Sequence, residues 1–208
     1  MTKSIETRWF LPGGISGIVT WFEKAGEIFL GNWERSDFYL KTAGQSNFSF
    51  KIREGKSEIK LLIESLGVIP FGNGYAGVTE KWVKWSTPLK KELMYPAQIF
   101  EEPGSFIEVK KERLLCKFEI LSDSSLRKAK KSETSIREGC QVELTRMELN
   151  GITTFTFGFE SFGTDNKLFN NFKVVADKVL AEMPGISLRI ENSYSYPAFL
   201  FNSGEHAI

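Results

Sequence analysis

Phe48-Ser-Phe-Lys-Ile-Arg-Glu-Gly-Lys-Ser-Glu-Ile-Lys-Leu-Leu62 is the stretch that decides the fold of this chain. It predicts two β-strands joined by a tight turn at Glu54-Gly55-Lys56, because apolar and charged residues alternate along it with the period of a strand. Lys51 and Arg53 share the polar face of the first strand. A hairpin of this kind suits a sheet whose concave side holds an anion. The alternative is an amphipathic hairpin whose charged face is simply solvated.

Length and composition favour one globular domain spanning residues 1–208, since 208 residues with 41% hydrophobic and 25% charged residues can bury a single core. Lys and Arg total 27 against 26 Asp and Glu, so no overall field favours nucleic acid as a partner. An anion site must therefore come from local sorting of charges. We find no signal peptide and no run of about 20 apolar residues that would cross a membrane. The expected location is the cytoplasm.

Cysteine and histidine usage excludes several chemistries. Cys116 and Cys140 have no metal-type spacing and lie in strand-like segments, which predicts buried free thiols. The single histidine, His206, is the third residue from the end of the sequence, where a frayed tail is expected. Ser-His-Asp or Cys-His hydrolysis and zinc sites built on histidine are therefore not expected.

The rest of the pattern predicts about eight largely antiparallel strands, one early helix and one late helix. Asn150-Gly151 is a strong two-residue turn signal between two of the strands. The expected fold is α+β and mainly antiparallel: a closed or nearly closed eight-stranded β-barrel with a tunnel and flanking helices. The predicted strands are Ser4–Phe10, Arg35–Lys41, the hairpin above, Val78–Trp85, Ser105–Ile120, Gly139–Leu149, Thr153–Phe162 and a short Ile186–Ile190. The predicted helices are Ile15–Lys24 and Lys167–Met183, with a loop over Leu66–Ala76, a solvated connection or exposed helix over Ser122–Arg137 and an irregular aromatic segment over Ser193–Phe201. Lys90–Phe100 has no clear pattern.

The segment Thr153–Glu160 predicts how the barrel interior is lined. Phe155, Phe157 and Phe159 face one way, while Thr154, Thr156, Gly158 and Glu160 face the other. If the aromatic face packs under helices, the polar face looks into the barrel. Small water-soluble barrels usually fill with apolar side chains, so a polar interior argues for a hydrated or ligand-filled tunnel.

The order of these polar strand positions resembles the CYTH superfamily, the triphosphate tunnel enzymes. That family opens with Glu-x-Glu-x-Lys, and Ser4-Ile-Glu6-Thr-Arg8 occupies the same place. Ser36-Asp-Phe-Tyr39, Lys51-Ile-Arg53 and Lys111-Glu-Arg113 follow in the family's order, and Asn192-Ser-Tyr-Ser-Tyr196 echoes its terminal segment. The chain departs from the pattern where Ser4 replaces the first Glu, Arg8 replaces the Lys, and Gly158 stands where a second late-strand Glu is expected.

The resemblance implies a set of site residues and a metal. A small-molecule phosphate ligand would be held by arginines, which make bidentate contacts, and by lysines, which act as point charges. Carboxylates on the opposite wall would hold Mg²⁺ or Mn²⁺, which prefer oxygen ligands. The candidates are Glu6, Arg8 and Lys60 for catalysis, Lys51, Arg53, Lys60, Lys84, Lys111 and Arg113 for the phosphate groups, and Glu6, Glu143 and Glu160 for the metal.

Three functions follow from this pattern. The first is a phosphate-binding tunnel protein that acts as a metal-dependent phosphohydrolase on a triphosphate. The second is an inactive anion-binding module of the same fold, because the missing carboxylate at Ser4 weakens the implied metal site. The third is a calycin-like carrier of an apolar ligand, which the 18 Phe favour and the polar inner face disfavours. A further alternative is that the charges only pair with each other inside the barrel.

Overall fold

The computed structural model describes residues 1–42, 45–90, 105–130, 133 and 135–205, the last five of these as backbone alone. These residues form nine strands and three α-helices. The strands are β1 Thr2–Leu11, β2 Arg35–Leu40, β3 Phe48–Arg53, β4 Lys56–Pro70, β5 Ala76–Pro88, β6 Phe106–Ile120, β7 Leu126–Lys128, β8 Gly139–Leu149 and β9 Ile152–Phe162. The helices are α1 Ser16–Lys24, α2 Leu168–Ala181 and α3 Tyr196–Glu205.

The strands form one antiparallel sheet that closes on itself. Its order is β2-β3-β4-β5-β1-β9-β8-β6-β7, and a further pairing of β2 with β6 joins the two ends. Eight strands therefore make a closed barrel, while β7 adds only to the end of β6. This confirms the predicted fold class. Closure leaves the eight barrel strands without a free long edge and creates an interior.

Two tight hairpins fix the register of the barrel. Glu54 and Gly55 both have positive φ and join β3 to β4, so Arg53 pairs with Lys56. Asn150 and Gly151 do the same between β8 and β9. Positive φ at both central residues is the type I′ geometry that matches the twist of paired strands, and it confirms both predicted turns.

The main hydrophobic core lies outside the barrel, between its aromatic face and α1 and α2. Trp9, Phe157 and Phe172 are fully buried there. Gly77 makes room for this packing, because a Cβ at that position would lie 2.5 Å from the Trp9 ring. The aromatic face of β9 therefore packs under helices and its polar face turns inward, as the sequence predicts.

A second, smaller core fills one end of the barrel. Phe10 stacks on Tyr194 and Phe199, with ring centroids 4.7 and 4.3 Å apart, and Leu200 of α3 is buried in the same cluster. Met147 on β8 is also buried there. These residues separate the charged part of the interior from that end.

Four local predictions are wrong. The sequence predicts an irregular segment over residues 193–201, but α3 begins at Tyr196, because Phe199 and Leu200 pack against the small core and Pro197 is tolerated in a first helical turn. The expected loop Leu66–Ala76 includes the end of β4, which continues to Pro70. A register shift in its pairing with β5, between Ser65 and Gly67, accommodates the positive φ of Gly67. Ser122–Arg137 contains β7, and the expected strand Ile186–Ile190 is absent: residues 186–189 have no regular structure.

The structure also bears on the predictions for the cysteines and for membrane-spanning segments. Cys116 and Cys140 are buried and form no disulfide, as predicted. In the part of the chain that the structure describes, no helix is long and apolar enough to span a membrane. Residues 91–100 of the unassigned segment and His206 lie outside the described residues.

Candidate functional site

The interior of the barrel holds a cavity of about 500 Å³. This volume lies within the range of pockets that enclose a whole small molecule. Ten Lys and Arg side chains and six Glu side chains line it, so its wall carries four more positive than negative groups. The formal net charge of the whole chain is only +1. The cations are Lys3, Arg8, Arg35, Lys51, Arg53, Lys60, Lys84, Lys111, Arg113 and Lys117, and the acids are Glu6, Glu58, Glu80, Glu133, Glu143 and Glu160.

All of the site residues predicted from sequence line this one cavity. They reach it from β1, β3, β4, β5, β6, β8 and β9, because each occupies an inward position of the strand alternation. The structure therefore brings the predicted set together. It also shows what each member already contacts.

Asp37 on β2 is the centre of the most buried charge cluster. Its side chain is 0% exposed and lies 3.0 Å from Arg35 Nε, 3.0 Å from Lys111 Nζ and 3.6 Å from Lys51 Nζ. The Tyr39 hydroxyl donates to the same carboxylate at 3.3 Å. Burial alone would raise the pKa of Asp37, but Lys111, Lys51 and Arg35 hold it well below its usual range. One carboxylate thus compensates three cations.

Lys111 is enclosed rather than open to the cavity. Its side chain is 4% exposed, and its ammonium lies 4.0 Å from the centre of the Tyr196 ring and 5.0 Å from that of Tyr39. It also donates to the Tyr39 hydroxyl at 2.8 Å. Burial lowers the pKa of Lys111 to about 8 despite Asp37. These contacts use most of its donors, so Lys111 holds the wall together more than it faces a ligand.

Lys51 and Arg53 face the cavity from β3 and share Glu58 of β4. Lys51 Nζ lies 3.2 Å from Glu58, and Arg53 donates to Glu58 at 2.8 Å. Burial opposes ionisation of Glu58, yet Lys51 and Arg53 hold its pKa at about 2. Burial, together with the charges of Arg53 and Lys111, lowers the pKa of Lys51 to about 7. Near neutral pH both the charged and the neutral form of Lys51 are therefore populated at this end of the cavity.

Glu6 on β1 is held by Lys60 of β4. The Lys60 ammonium donates to one carboxylate oxygen in a short contact, and the Ser4 hydroxyl donates to the other at 2.5 Å. Burial raises the pKa of Glu6, but Lys60 and Ser4 outweigh it and the net shift is downward. Lys60 also lies 5.0 Å above the Trp82 ring. Ser4 thus acts as a hydrogen-bond donor to Glu6.

Glu143 on β8 is held by two arginines. Arg8 Nη1 and Arg113 Nη1 lie 3.1 and 3.3 Å from its two oxygens, and the Thr145 hydroxyl donates to it at 2.9 Å. Arg8 and Arg113 keep the pKa of Glu143 far below its usual range although burial acts against them. Arg8 also donates to Thr156 at 2.9 Å. The predicted inward position of Thr156 is confirmed.

Glu160 and Glu80 flank Glu6 on the neighbouring strands. Both pair with Glu6 in register, Glu160 from β9 and Glu80 from β5. Glu160 accepts a hydrogen bond from Gln141 at 2.6 Å and lies 3.9 Å from Lys84 Nζ. Glu80 accepts from Trp82 Nε1 at 3.1 Å. Burial, together with the charge of Glu6, raises the pKa of Glu80, whereas that of Glu6 itself is lowered.

The implied metal site does not match this arrangement. Among the described residues, no group of three or more His, Cys, Asp or Glu side chains is placed to hold a metal ion. Glu6, Glu143 and Glu160 instead each contact a different cationic side chain. The residues present therefore do not form a carboxylate set that fits Mg²⁺ or Mn²⁺.

Sequence reasoning missed several residues of the cavity. Asp37, which lies behind the cavity wall, and Tyr39 enter the sequence analysis only as part of a motif, although Asp37 alternates with Phe38 and Tyr39 in a predicted strand, where a charge signals buried pairing. Glu58 lies two residues before Lys60 in a predicted strand, and this spacing places both side chains on one face. Glu80 could have been found because it pairs with Glu6 once the strands are aligned.

The fold and the cavity together define a closed antiparallel β-barrel with a cation-rich interior of ligand size. Comparison with protein-family models and with curated proteins finds no match. Among solved structures, a conserved hypothetical protein from Pyrococcus furiosus is similar at a TM-score of 0.42 and 14% identity, over 94% of this chain and 98% of that one. A protein from Pyrococcus horikoshii is similar at a TM-score of 0.47 and 10% identity, over 96% of this chain and 99% of that one. Similarities of this size say nothing about function.

Proposed function

We propose that this protein binds a triphosphate or an organic phosphate inside its barrel, as a tunnel protein of the CYTH type. The observation that carries the proposal is the excess of cations at one cavity: ten Lys and Arg against six Glu of the wall and the buried Asp37 behind it, which leaves three. The rest of the chain then has two more acidic than basic residues. Concentrating positive charge inside a barrel is unfavourable unless a counter-charge enters it. A polyanion is the ligand that supplies this counter-charge.

Donor chemistry favours phosphate among polyanions. Arg53 and Arg113 are a fifth to a quarter exposed to the cavity, and each uses only part of its guanidinium on a carboxylate. The exposed part of each guanidinium group is open to a ligand in the cavity. Guanidinium groups match the bidentate geometry of phosphate oxygens. Lys60 and Lys84 add point charges to the same wall.

The binding module stands ahead of the hydrolase as the function of this cavity. Two of the three carboxylates that the resemblance assigns to a metal are held by cations, Glu6 by Lys60 and Glu143 by Arg8 and Arg113. The apolar carrier is disfavoured, because charged side chains contribute 16 of the lining residues. Hydrolysis is decided by experiment rather than by the fold.

Isothermal titration with tripolyphosphate, pyrophosphate, a nucleoside triphosphate and thiamine triphosphate tests the proposal. We expect saturable binding of at least one, with affinity that falls as salt rises. The matched variants are Arg53→Ala, inside the cavity, and Arg189→Ala, whose side chain is 69% exposed. No binding by any of the four, or equal loss in both variants, would refute the proposal. Malachite-green detection of released phosphate, with Mg²⁺ and with Mn²⁺, then shows whether the bound compound is hydrolysed.

A further inference from the structure

We infer that the barrel binds its polyanion without a divalent metal ion, and that Lys60 takes the place a metal would have beside Glu6. This inference rests on the proposed function and concerns how the same cavity neutralises its ligand. It is carried by the contacts of Glu6, Glu143 and Glu160, the carboxylates that a metal would need.

Each oxygen of Glu6 already accepts a hydrogen bond. Lys60 donates to one oxygen and Ser4 to the other, and the Glu6 side chain is 13% exposed. A metal bound to Glu6 would either lie beside the Lys60 ammonium or displace it into a cavity that is already cation-rich. The first arrangement puts two cations against each other, and the second leaves a partly buried ammonium without its carboxylate.

Glu143 is still less available. Both of its oxygens face guanidinium groups, and its side chain is 12% exposed. An arginine cannot give up its proton to make room for a metal, because its pKa lies far above neutrality. The guanidinium of Arg8 is fixed further by Thr156 and by the Tyr196 ring, whose centre is 4.7 Å away.

No further carboxylate can join Glu160 at Gly158 in this backbone. Gly158 lies opposite Arg8 and Glu143 in the register. A Cβ at Gly158 would be 2.6 Å from the Thr7 carbonyl oxygen, which real side chains do not tolerate. The loss of the second late-strand Glu is therefore built into the packing of β1 against β9.

The Lys60 ammonium can do the electrostatic part of a metal's task. It has three donors, and in the structure one carboxylate of the wall accepts from it. The remaining donors allow Lys60 to contact a carboxylate and a phosphate oxygen at the same time. It lies over the Trp82 ring, which adds a cation–π contact and holds the ammonium in the cavity.

Titration of the wild-type protein with tripolyphosphate in EDTA and in Mg²⁺ or Mn²⁺ tests the inference. We expect the affinity in EDTA to equal or exceed that in metal, because metal also binds tripolyphosphate in solution. Manganese alone, followed by electron paramagnetic resonance, should show no protein-bound ion. Binding that appears only with metal overturns the inference and leaves the proposed function standing. No binding under either condition overturns both.

Lys60→Met keeps a stem of similar length and removes the ammonium. We expect it to bind tripolyphosphate about ten- to a hundredfold more weakly in EDTA, and Mn²⁺ to restore part of the loss because Glu6 is now free. Lys178→Met, on the outer surface of α2 and 51% exposed, is the control and should match the wild type. Thermal unfolding of both variants checks that they fold. A folded Lys60→Met that binds as the wild type, or that shows no recovery with Mn²⁺, overturns the assignment of Lys60 to the metal's place.

Discussion

Replacing Asp37 with Asn should destabilise the protein in a way that depends on pH. Asp37 compensates Arg35 and Lys111, whose side chains are 8% and 4% exposed. The substitution keeps the shape of the side chain and removes its charge. Two almost fully buried cations then lose their main counter-charge, which is the costly way to break a buried ion pair.

The size of the effect can be worked out from the two cations separately. Lys111 has a pKa of about 8, so at about pH 7 it can become neutral for about 1 kcal/mol, and this limits its share. Arg35 cannot become neutral, and its other carboxylate, Glu54, is 3.8 Å away and 61% exposed. Losing the buried counter-charge 3.0 Å from its Nε costs Arg35 about 2 kcal/mol, less than the ~3–5 kcal/mol of a fully buried pair because Glu54 stays nearby. We therefore expect a loss of about 3 kcal/mol, or a fall in Tm of about 6–12 °C for a chain of this length.

Urea unfolding followed by tryptophan fluorescence measures this difference at about pH 7 and about pH 9. At the higher pH Lys111 is already neutral in the wild type, so the difference should shrink by about 1 kcal/mol and the share of Arg35 should remain. Asp165→Asn is the matched control, because Asp165 also has two lysine partners, at 2.6 and 2.7 Å, but is 48% exposed. Its effect should be much smaller than that of Asp37→Asn, because exposed ion pairs contribute little to stability. A loss equal to that of the control, or one that grows at the higher pH, would refute the reasoning.

Three other predictions concern the same barrel. The pKa of Lys51 is lowered to about 7 in the folded protein. Above that pH the unfolded chain binds more protons than the folded one, so the ligand-free protein should become more stable between about pH 7 and pH 10, as urea titrations would show. Over the same range tripolyphosphate should bind the wild type progressively more weakly than it binds Lys51→Arg, which keeps its charge; parallel calorimetric profiles would contradict this. Arg53→Ala should weaken binding of tripolyphosphate by about 1.5–3 kcal/mol, with Arg189→Ala unchanged in the same titration. Gly158→Ala should cost about 1–3 kcal/mol in unfolding free energy, because its Cβ would meet the Thr7 carbonyl oxygen, and an unchanged urea midpoint would argue against that packing.

The barrel could be predicted because its strands and turns have clear signals in short stretches of the sequence. Alternation in Phe48–Leu62 and in Thr153–Glu160 assigns each side chain to one face, and the glycines at residues 55 and 151 mark the turns. These signals act over two to six residues, within the reach of sequence reasoning. The closing pair of β2 and β6 joins residues about 70 positions apart, and it was inferred only because a closed sheet avoids free edges.

The tail could not be predicted in the same way. α3 begins at Tyr196, and Pro197 and the aromatic residues beside it give no helical stripe. Packing decides this segment: Phe199 stacks on Phe10 and Leu200 is buried in the small core that fills one end of the barrel. Tertiary contact overrides a weak local preference here, as it does for Gly67 within β4.

The membership of the cavity was predictable, but the partner of each charge was not. A strand pattern shows that Lys111 faces inward; it does not show that Asp37, 74 residues earlier, reaches the same point. The distinction matters for function, because an inward cation with a free donor can bind a ligand, whereas one enclosed by a carboxylate and two rings stabilises the wall. Lys111 belongs to the second kind, while Arg53 and Lys60 retain donors directed at the cavity. Exposure separates the two kinds, from 4% for Lys111 to 26% for Lys60, and it follows from cross-barrel distances that only the closed fold sets.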